Sequence, residues 1–302
     1  MEEVKELIKF ETWSAPLDRP ANSYLVITSK YSLLIDGGSS PIPNLKSYDI
    51  DYVLLTHWHW DHVLGLVRSD LDAVICASSR TINYISKELP TYEGFQALKN
   101  AFGAVPTEFE AVAQKSLGNT VTVLEHFSKR RDQLVDIKSC DPARLGYVSV
   151  VECPGHSDDH VCYIVGEHAF VGDSINPGEG LALLSVPDYM SSMLKLLAID
   201  NWHVAHPGHG PEVTREQAAQ WLSELFRSKI EKMAKLASSL DGQWRPLKDY
   251  LDVLYPEASP VIRWIGARSL LGYAISLQQL GVAELKTDGS PWLIRAKKGS
   301  EP

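Results

Sequence analysis

The sequence predicts an α/β protein, and three observations carry that reading. Short β-prone runs separated by turn residues fill the first sixty positions, as at 23–28 and 31–35. Stretches with helical spacing of apolar residues follow, from about 78 to 114 and again from Thr214 onward. Between them, strand-length apolar runs resume at 161–165 and 169–171. A chain of 302 residues, 44% hydrophobic with 8 Trp, 12 Tyr and 7 Phe, can bury a real core, which excludes disordered and low-complexity readings.

Taken in order, the run Tyr31–Ile35 ends in Asp36-Gly37-Gly38, a turn that calls for glycine's freedom at positive φ. Tyr52-Val53-Leu54-Leu55 is almost continuously apolar, as expected of a strand covered on both faces, and stops at Thr56-His57. The helical stretch from 78 carries Ile82, Tyr84, Tyr92, Phe95, Phe102 and Phe109, with breaks at Pro90 and Pro106. Strands are expected at 120–125, 146–152, 161–165 and 169–171, then a helix at 188–198 and a strand at 203–205. Thr214 reads as the N-cap of a long amphipathic helix that Gly242 stops. Two shorter helical stretches, near 246–255 and 260–280, precede β-prone runs at 282–286 and 292–296, joined by the hairpin signal Asp288-Gly289.

Charge divides where the long helix begins. Residues 1–213 hold 16 Lys and Arg against 28 Asp and Glu, a balance of −12, while 214–302 hold 13 against 10, a balance of +3. A domain boundary is placed there: 1–213 as the catalytic domain with a helical insertion at about 78–118, and 214–302 as a C-terminal region. The net charge of −9 argues against a protein built to grip phosphate backbones. The four cysteines form no CxxC pair and read as reduced, mostly buried thiols. The acidic N-terminus does not look like a secretory signal, and no uncharged apolar run reaches ~18 residues, so a cytoplasmic protein with no membrane span is expected.

Ten histidines say more than the rest of the composition. Thr56-His57-Trp58-His59-Trp60-Asp61-His62 packs four metal-ligand candidates into six residues after a buried strand, where side chains can turn toward a shared crevice. If the chain stays extended, His57 and His59 share one side, and Asp61 and His62 fall at the start of the next helix. Downstream stand Pro154-Gly155-His156, Gly172-Asp173 and Pro207-Gly208-His209-Gly210, each with glycine beside the candidate ligand. His57, His59, His156, Asp61, His62, His209 and Asp173 make five imidazoles and two carboxylates, a set for two metals with Asp173 as the bridge. Ligation by N and O without thiolate favours zinc and leaves iron, manganese or cobalt open. Burying so many polar groups together without a cation would cost several kcal/mol of lost hydration. Lone histidines such as His126, His168 and His203 read as structural.

With these motifs in this order, the sequence resembles the metallo-β-lactamase superfamily over roughly residues 10–215. The resemblance implies an αββα four-layer sandwich with the metal centre at one edge. A narrower likeness, in His156-Ser157-Asp158-Asp159-His160 and Gly172-Asp173-Ser174, is to the β-lactamase-like protein 2 group, which carries a C-terminal helical or winged-helix appendage. That group implies for His160 a place behind the ligands rather than direct ligation. The 78–144 stretch is longer than the family's compact core requires.

The chemistry expected is metal-dependent hydrolysis of an ester-type bond, a phosphoester, lactone or thioester. Two adjacent metals would lower the pKa of a shared water from ~15.7 toward ~7, making hydroxide available at neutral pH. Asp61 and Asp173 are the catalytic candidates, Asp61 orienting the nucleophile. The 78–118 region reads as a cap over an apolar pocket, with Tyr92 and Phe95 as lining, while Trp58 and Trp60 read as packing beneath the site. The expected partner is a small-molecule substrate, with a homo-oligomer left open. The alternative, a single-strand endoribonuclease of the same fold, runs against the −12 of the catalytic block.

Overall fold

Alternate residues of each strand enter different cores, as the pleat requires. Along β2 (Ala21–Thr28), Tyr24 and Val26 face one cluster and Leu25 the other; along β3 (Ser32–Ile35), Leu33 and Ile35 oppose Leu34. The computed structural model describes residues 3–15, 20–69, 71–90, 94–103, 107–177, 181–257 and 260–297, with backbone alone at 94–95, 107–109 and 260–265.

The first sheet has the order β1-β2-β3-β4-β5-β6. β1 (Val4–Thr12), β2 and β3 are antiparallel, and β4 (Tyr52–Leu54), β5 (Val74–Ala77) and β6 (Leu134–Asp136) continue in parallel. Its outer face is covered by α1 (Trp60–Ser69), α2 (Ser79–Ser86) and α4 (Thr107–Ser128), with α3 (Gly94–Phe102) between the last two in the chain. After the short α5 (Asp141–Arg144) comes the second sheet, in which β7 (Ser149–Glu152), β8 (Val161–Val165) and β9 (His168–Gly172) form an antiparallel meander. β10 (Val204–Pro207) adds in parallel to β9, and β11 (Val213–Thr214) closes the edge.

Tyr163, Val165 and Phe170 of the second sheet meet Tyr24, Val26 and Leu33 of the first in the core between the sheets. Cys162, Ile164, Ala169 and Val171 point the other way, toward α6 (Val186–Leu197) and α7 (Arg215–Ser239). The result is the expected αββα sandwich. α7 starts at Thr214 with a complete capping box to Gln217, as the sequence indicated. Beyond it, α8 (Leu251–Leu254), α9 (Pro260–Gln279) and a small sheet of order β12-β14-β13 (Arg245–Pro246, Leu293–Ala296, Ala283–Lys286) form the C-terminal helical region. Leu247, Leu270, Ala274, Trp292 and Ile294 share one hydrophobic cluster with Val171 and Trp202, so this region is packed on the second sheet.

Two expectations are corrected. The β-prone run 120–125 lies inside the 22-residue helix α4. Val123 and Phe127, four apart, bury against the first sheet, and the Thr120 and Thr122 hydroxyls donate to the carbonyls of Ser116 and Gly118, so packing overrides β-propensity. The basic run Lys129-Arg130-Arg131 accordingly follows a helix, and Arg131 donates to the Ser86 carbonyl. Cys76 and Cys140, expected as thiols, form a disulfide with Cα atoms 6.2 Å apart; Cys153 and Cys162 are free and buried. The separation of 64 residues between Cys76 and Cys140 leaves no local motif to read. Among the described residues no helix is long and apolar enough to cross a membrane.

Candidate metal centre

The seven candidate ligands come from chain segments that leave the ends of β4, β7, β9 and β10 at one edge of the sandwich. Backbone bonds hold these segments together: Val161 N–H donates to the Thr56 carbonyl, Gly208 N–H to Gly172, and Asn22 N–H to Gly208. Crowding there leaves no room for a side chain at position 208, where a Cβ would fall 2.4 Å from His62 Cε1 and 2.7 Å from Asp173 Oδ1. Asp61 and His62 lie in the first turn of α1, whose positive dipole end favours the Asp61 charge.

Two groups form. Donor atoms of His57, His59, His156 and Asp173 lie within 4.8 Å of one another, and those of Asp61, His62 and His209 do likewise. In the first, His59 Nδ1 is 2.9 Å from His57 Nε2 and 3.1 Å from His156 Nε2. In the second, His209 Nε2 is 3.2 Å from Asp61 Oδ2. Asp173 joins them, with Oδ2 3.5 Å from His156 Nε2 and Oδ1 3.3 Å from His62 Nε2 and 3.5 Å from His209 Nε2. Tetrahedral ligands at 2.0–2.1 Å from a zinc ion stand about 3.3 Å apart, so these spacings suit a shared cation. His62 Nε2, His209 Nε2 and Asp173 Oδ1 are buried without a hydrogen-bond partner. Three orphaned atoms converging on one point are costly unless a cation satisfies them, so the residues present fit the group.

Behind the donors, a hydrogen-bond network sets which imidazole nitrogen is bare. Asp36 Oδ2 takes the Nδ1 side of His62 at 2.8 Å and the Thr56 hydroxyl at 2.8 Å, and the Thr56 oxygen in turn lies 3.0 Å from His57 Nδ1. His156 Nδ1 donates to the Ala182 carbonyl at 3.1 Å and His209 Nδ1 to Pro20 at 2.7 Å. Each of these rings thereby presents its Nε2 lone pair inward. Asp159 ties the two histidine loops together, accepting from Trp58 N–H, the Thr81 hydroxyl and the Ser157 hydroxyl.

Electrostatics divides the set. Burial first, then the neighbouring imidazoles, pushes His57 and His59 well below the usual histidine value, with Arg268 of α9 adding to the effect at His59. Burial also takes His156 down to about 3. Burial would raise Asp61 and Asp173, but His209 and His62 outweigh it and hold both well below the carboxylate range. Burial would lower His62, yet Asp173 and Asp36 drive it well up, so the carboxylates call for positive charge at this point.

His160 stacks on His57 at 4.7 Å between ring centroids, and its Nε2 accepts the Asp173 backbone N–H. Trp58 and Trp60 are buried in the outer core of the first sheet. Tyr92 and the side chain of Phe95 lie outside the described residues. A cleft of about 490 Å³ at α2 is lined by Ser79, Arg80, Asn83, Tyr84 and Glu88 together with the apolar Leu89 and Pro90. Asp36, Thr56 and Asp159 were not singled out from sequence. Asp36 read only as part of a turn, although it adopts the positive φ (57°) itself.

The family model described as metallo-beta-lactamase superfamily matches residues 16–72. The metallo-beta-lactamase fold-containing protein ST1585 of Sulfurisphaera tokodaii is 27% identical over 229 residues, covering 70% of this chain and 83% of that protein. A beta-lactamase-like protein 2 homolog of Drosophila melanogaster is 27% identical, covering 63% of this chain and 58% of that one. A thioesterase, pkgB of Emericella nidulans, is 27% identical over 67% of this chain and 50% of its own length. The chain thus spans 58% of the fly protein and half of the fungal one. The crystal structure of a beta-lactamase domain protein from Burkholderia ambifaria superimposes with a TM-score of 0.67 at 13% identity, covering 96% of this chain and 91% of that one.

Proposed function

Because the chain belongs to the metallo-beta-lactamase superfamily, we propose that it is a hydrolase of ester-type bonds that works with two divalent metal ions, zinc foremost. His57, His59 and His156 would hold one ion, Asp61, His62 and His209 the other, and Asp173 would span both. The observation that carries this reading is the division of Asp173, whose Oδ2 faces His156 and whose Oδ1 faces His62 and His209. When bound, the ions supply Lewis acidity and bring the pKa of a water from ~15.7 toward ~7.

The chain's own residues orient and hold. Asp61 is largely buried, its side chain 12% exposed, and its Oδ2 lies 3.2 Å from His209 Nε2. Asp61 would orient an attacking water by accepting its hydrogen bond through a carboxylate oxygen. Asp36 and Thr56 keep His62 and His57 in the tautomers that leave Nε2 free. His160 steadies the Asp173 backbone from behind the donor set.

Among ester-type bonds, a thioester of a small molecule is supported by the likeness to a protein named as a thioesterase. Residues 1–213 would form the catalytic domain and 214–302 an appendage. Purified protein is expected to contain two equivalents of zinc by elemental analysis. It is expected to turn over at least one of a thioester, a lactone, a phosphotriester and a phosphodiester. Asp61→Ala and Asp173→Ala should each lower that rate by ~100-fold or more while far-UV circular dichroism stays unchanged. Full rates in both variants overturn the proposal.

A further inference from the structure

His209 differs from the other candidate ligands in standing between two glycines. A Cβ at position 208 would fall 2.4 Å from the His62 ring, and Gly210 adopts a φ of +79°, so both positions call for glycine. Glycine loses more backbone freedom on ordering than any other residue, so holding His209 still carries an entropic cost. Asp61 and His62, its partners in the second donor group, are fixed instead by the first turn of α1.

The 207–210 loop leaves the second sheet, yet a residue of the first sheet restrains it. Asn22 of β2, 1% exposed, reaches the loop at three points. Its backbone N–H donates to the Gly208 carbonyl at 2.7 Å, and its Nδ2 donates to the carbonyls of Pro207 and Gly210, each at 2.9 Å. These bonds lie on both sides of His209. Turning the amide over would set its oxygen against two carbonyl oxygens, so the nitrogen's place is forced. Pro207 also accepts from the Tyr24 hydroxyl at 2.8 Å and Gly210 from Lys9 Nζ at 2.9 Å, so neither carbonyl is orphaned when the Asn22 amide is removed. The loop of His156 is held by other means, through the Ser192 hydroxyl on the Pro154 carbonyl at 2.8 Å and the Ala182 carbonyl on its ring.

We infer that Asn22 is a positioning residue that decides whether the ion assigned to Asp61, His62 and His209 is retained. This rests on the two-ion reading above and adds an asymmetry to it. One donor group depends on a clamp that joins the two sheets, whereas the group of His57, His59 and His156 does not. Asn22 acts through the loop backbone, by keeping the His209 ring where its Nε2 meets Asp61 and Asp173.

The test titrates metal-free full-length protein with zinc against a competing chelator. The unmodified protein should take up two tight equivalents. In Asn22→Leu, which keeps the shape of the side chain and removes both its donors, one equivalent should keep its affinity and the other should weaken about 10- to 100-fold. Turnover should then fall when zinc is limiting and recover when zinc is in excess, which a merely structural loss would not do. Asn22→Gln should restore part of the affinity, and Tyr24→Phe should weaken the same equivalent to a smaller degree; these two variants decide the matter if Asn22→Leu does not fold. In an Asp61→Ala background, where the second group is already disabled, adding Asn22→Leu should leave the affinity of the remaining ion unchanged. Equal weakening of both equivalents, or no weakening of either, overturns the inference. A single equivalent in the unmodified protein overturns it together with the two-ion reading. Selective loss of one ion from a protein that hydrolyses no ester supports the clamp and sinks the hydrolase reading, whereas hydrolysis with both ions held equally well in Asn22→Leu sinks the clamp alone.

Discussion

Asp36 is the residue on which the order of the donor set most depends. One of its oxygens receives both the His62 ring and the Thr56 hydroxyl, and Thr56 passes the same constraint to His57, so a single carboxylate orients one candidate ligand in each group. It does so from a left-handed backbone conformation that Asp and Asn tolerate and most residues do not. Asp36→Asn keeps that backbone but replaces a charged acceptor with a neutral amide. Zinc affinity, measured by competition with a chelator, should fall about 10- to 100-fold with the fold retained. Affinity equal to that of the unmodified protein would show that the ligands orient themselves. Nothing in the run Ile35-Asp36-Gly37-Gly38 announces this role, because Asp36 and His62 are 26 residues apart and meet only after β3 and β4 pair. The candidate ligands stand out in the sequence because four of them share one short segment and the others carry glycine neighbours.

At the scale of elements, α7 and α9 brace the segment that holds His156. Lys229 of α7 is buried, donates to the Leu181 carbonyl and lies over the Tyr273 ring at 5.8 Å. Burial lowers its pKa from 10.5 to about 8. The folded state therefore holds fewer protons than the unfolded state between those values, so stability rises with pH across about 8 to 10.5, by up to ~1.4 kcal/mol per unit. Below pH 8 the cost of the buried charge is present in full. Denaturant midpoints of the unmodified protein and of Lys229→Met should converge or cross over that window, and parallel profiles would refute the assignment. α4 teaches the complementary lesson. Its β-branched run 120–125 is helical because Val123 and Phe127 find the first sheet four residues apart, a reward that local propensity cannot register.

Across the whole molecule, an acidic sandwich carries a slightly basic C-terminal region, −12 against +3. Turnover of a neutral ester should therefore change less than about twofold between 50 and 200 mM salt, whereas cleavage of single-stranded RNA through phosphate contacts would fall by orders of magnitude. A steep salt dependence with RNA as the preferred substrate would reverse the proposed substrate class. The sandwich was legible because central strands such as β4 and β8 are apolar on both faces and the candidate ligands follow a recognisable order of motifs. The sequence by itself determined which side chains are candidates to hold a cation, that the fold is α/β, and where the long helix begins. Only the tertiary structure decided that Asp173 lies between two donor groups, that Cys76 meets Cys140, and that α9 lies against the segment whose Ala182 carbonyl meets His156. The reason is physical: periodicity and turn chemistry act between neighbours in the chain, whereas these contacts join residues tens to hundreds of positions apart and exist only once two sheets and a late helix have packed.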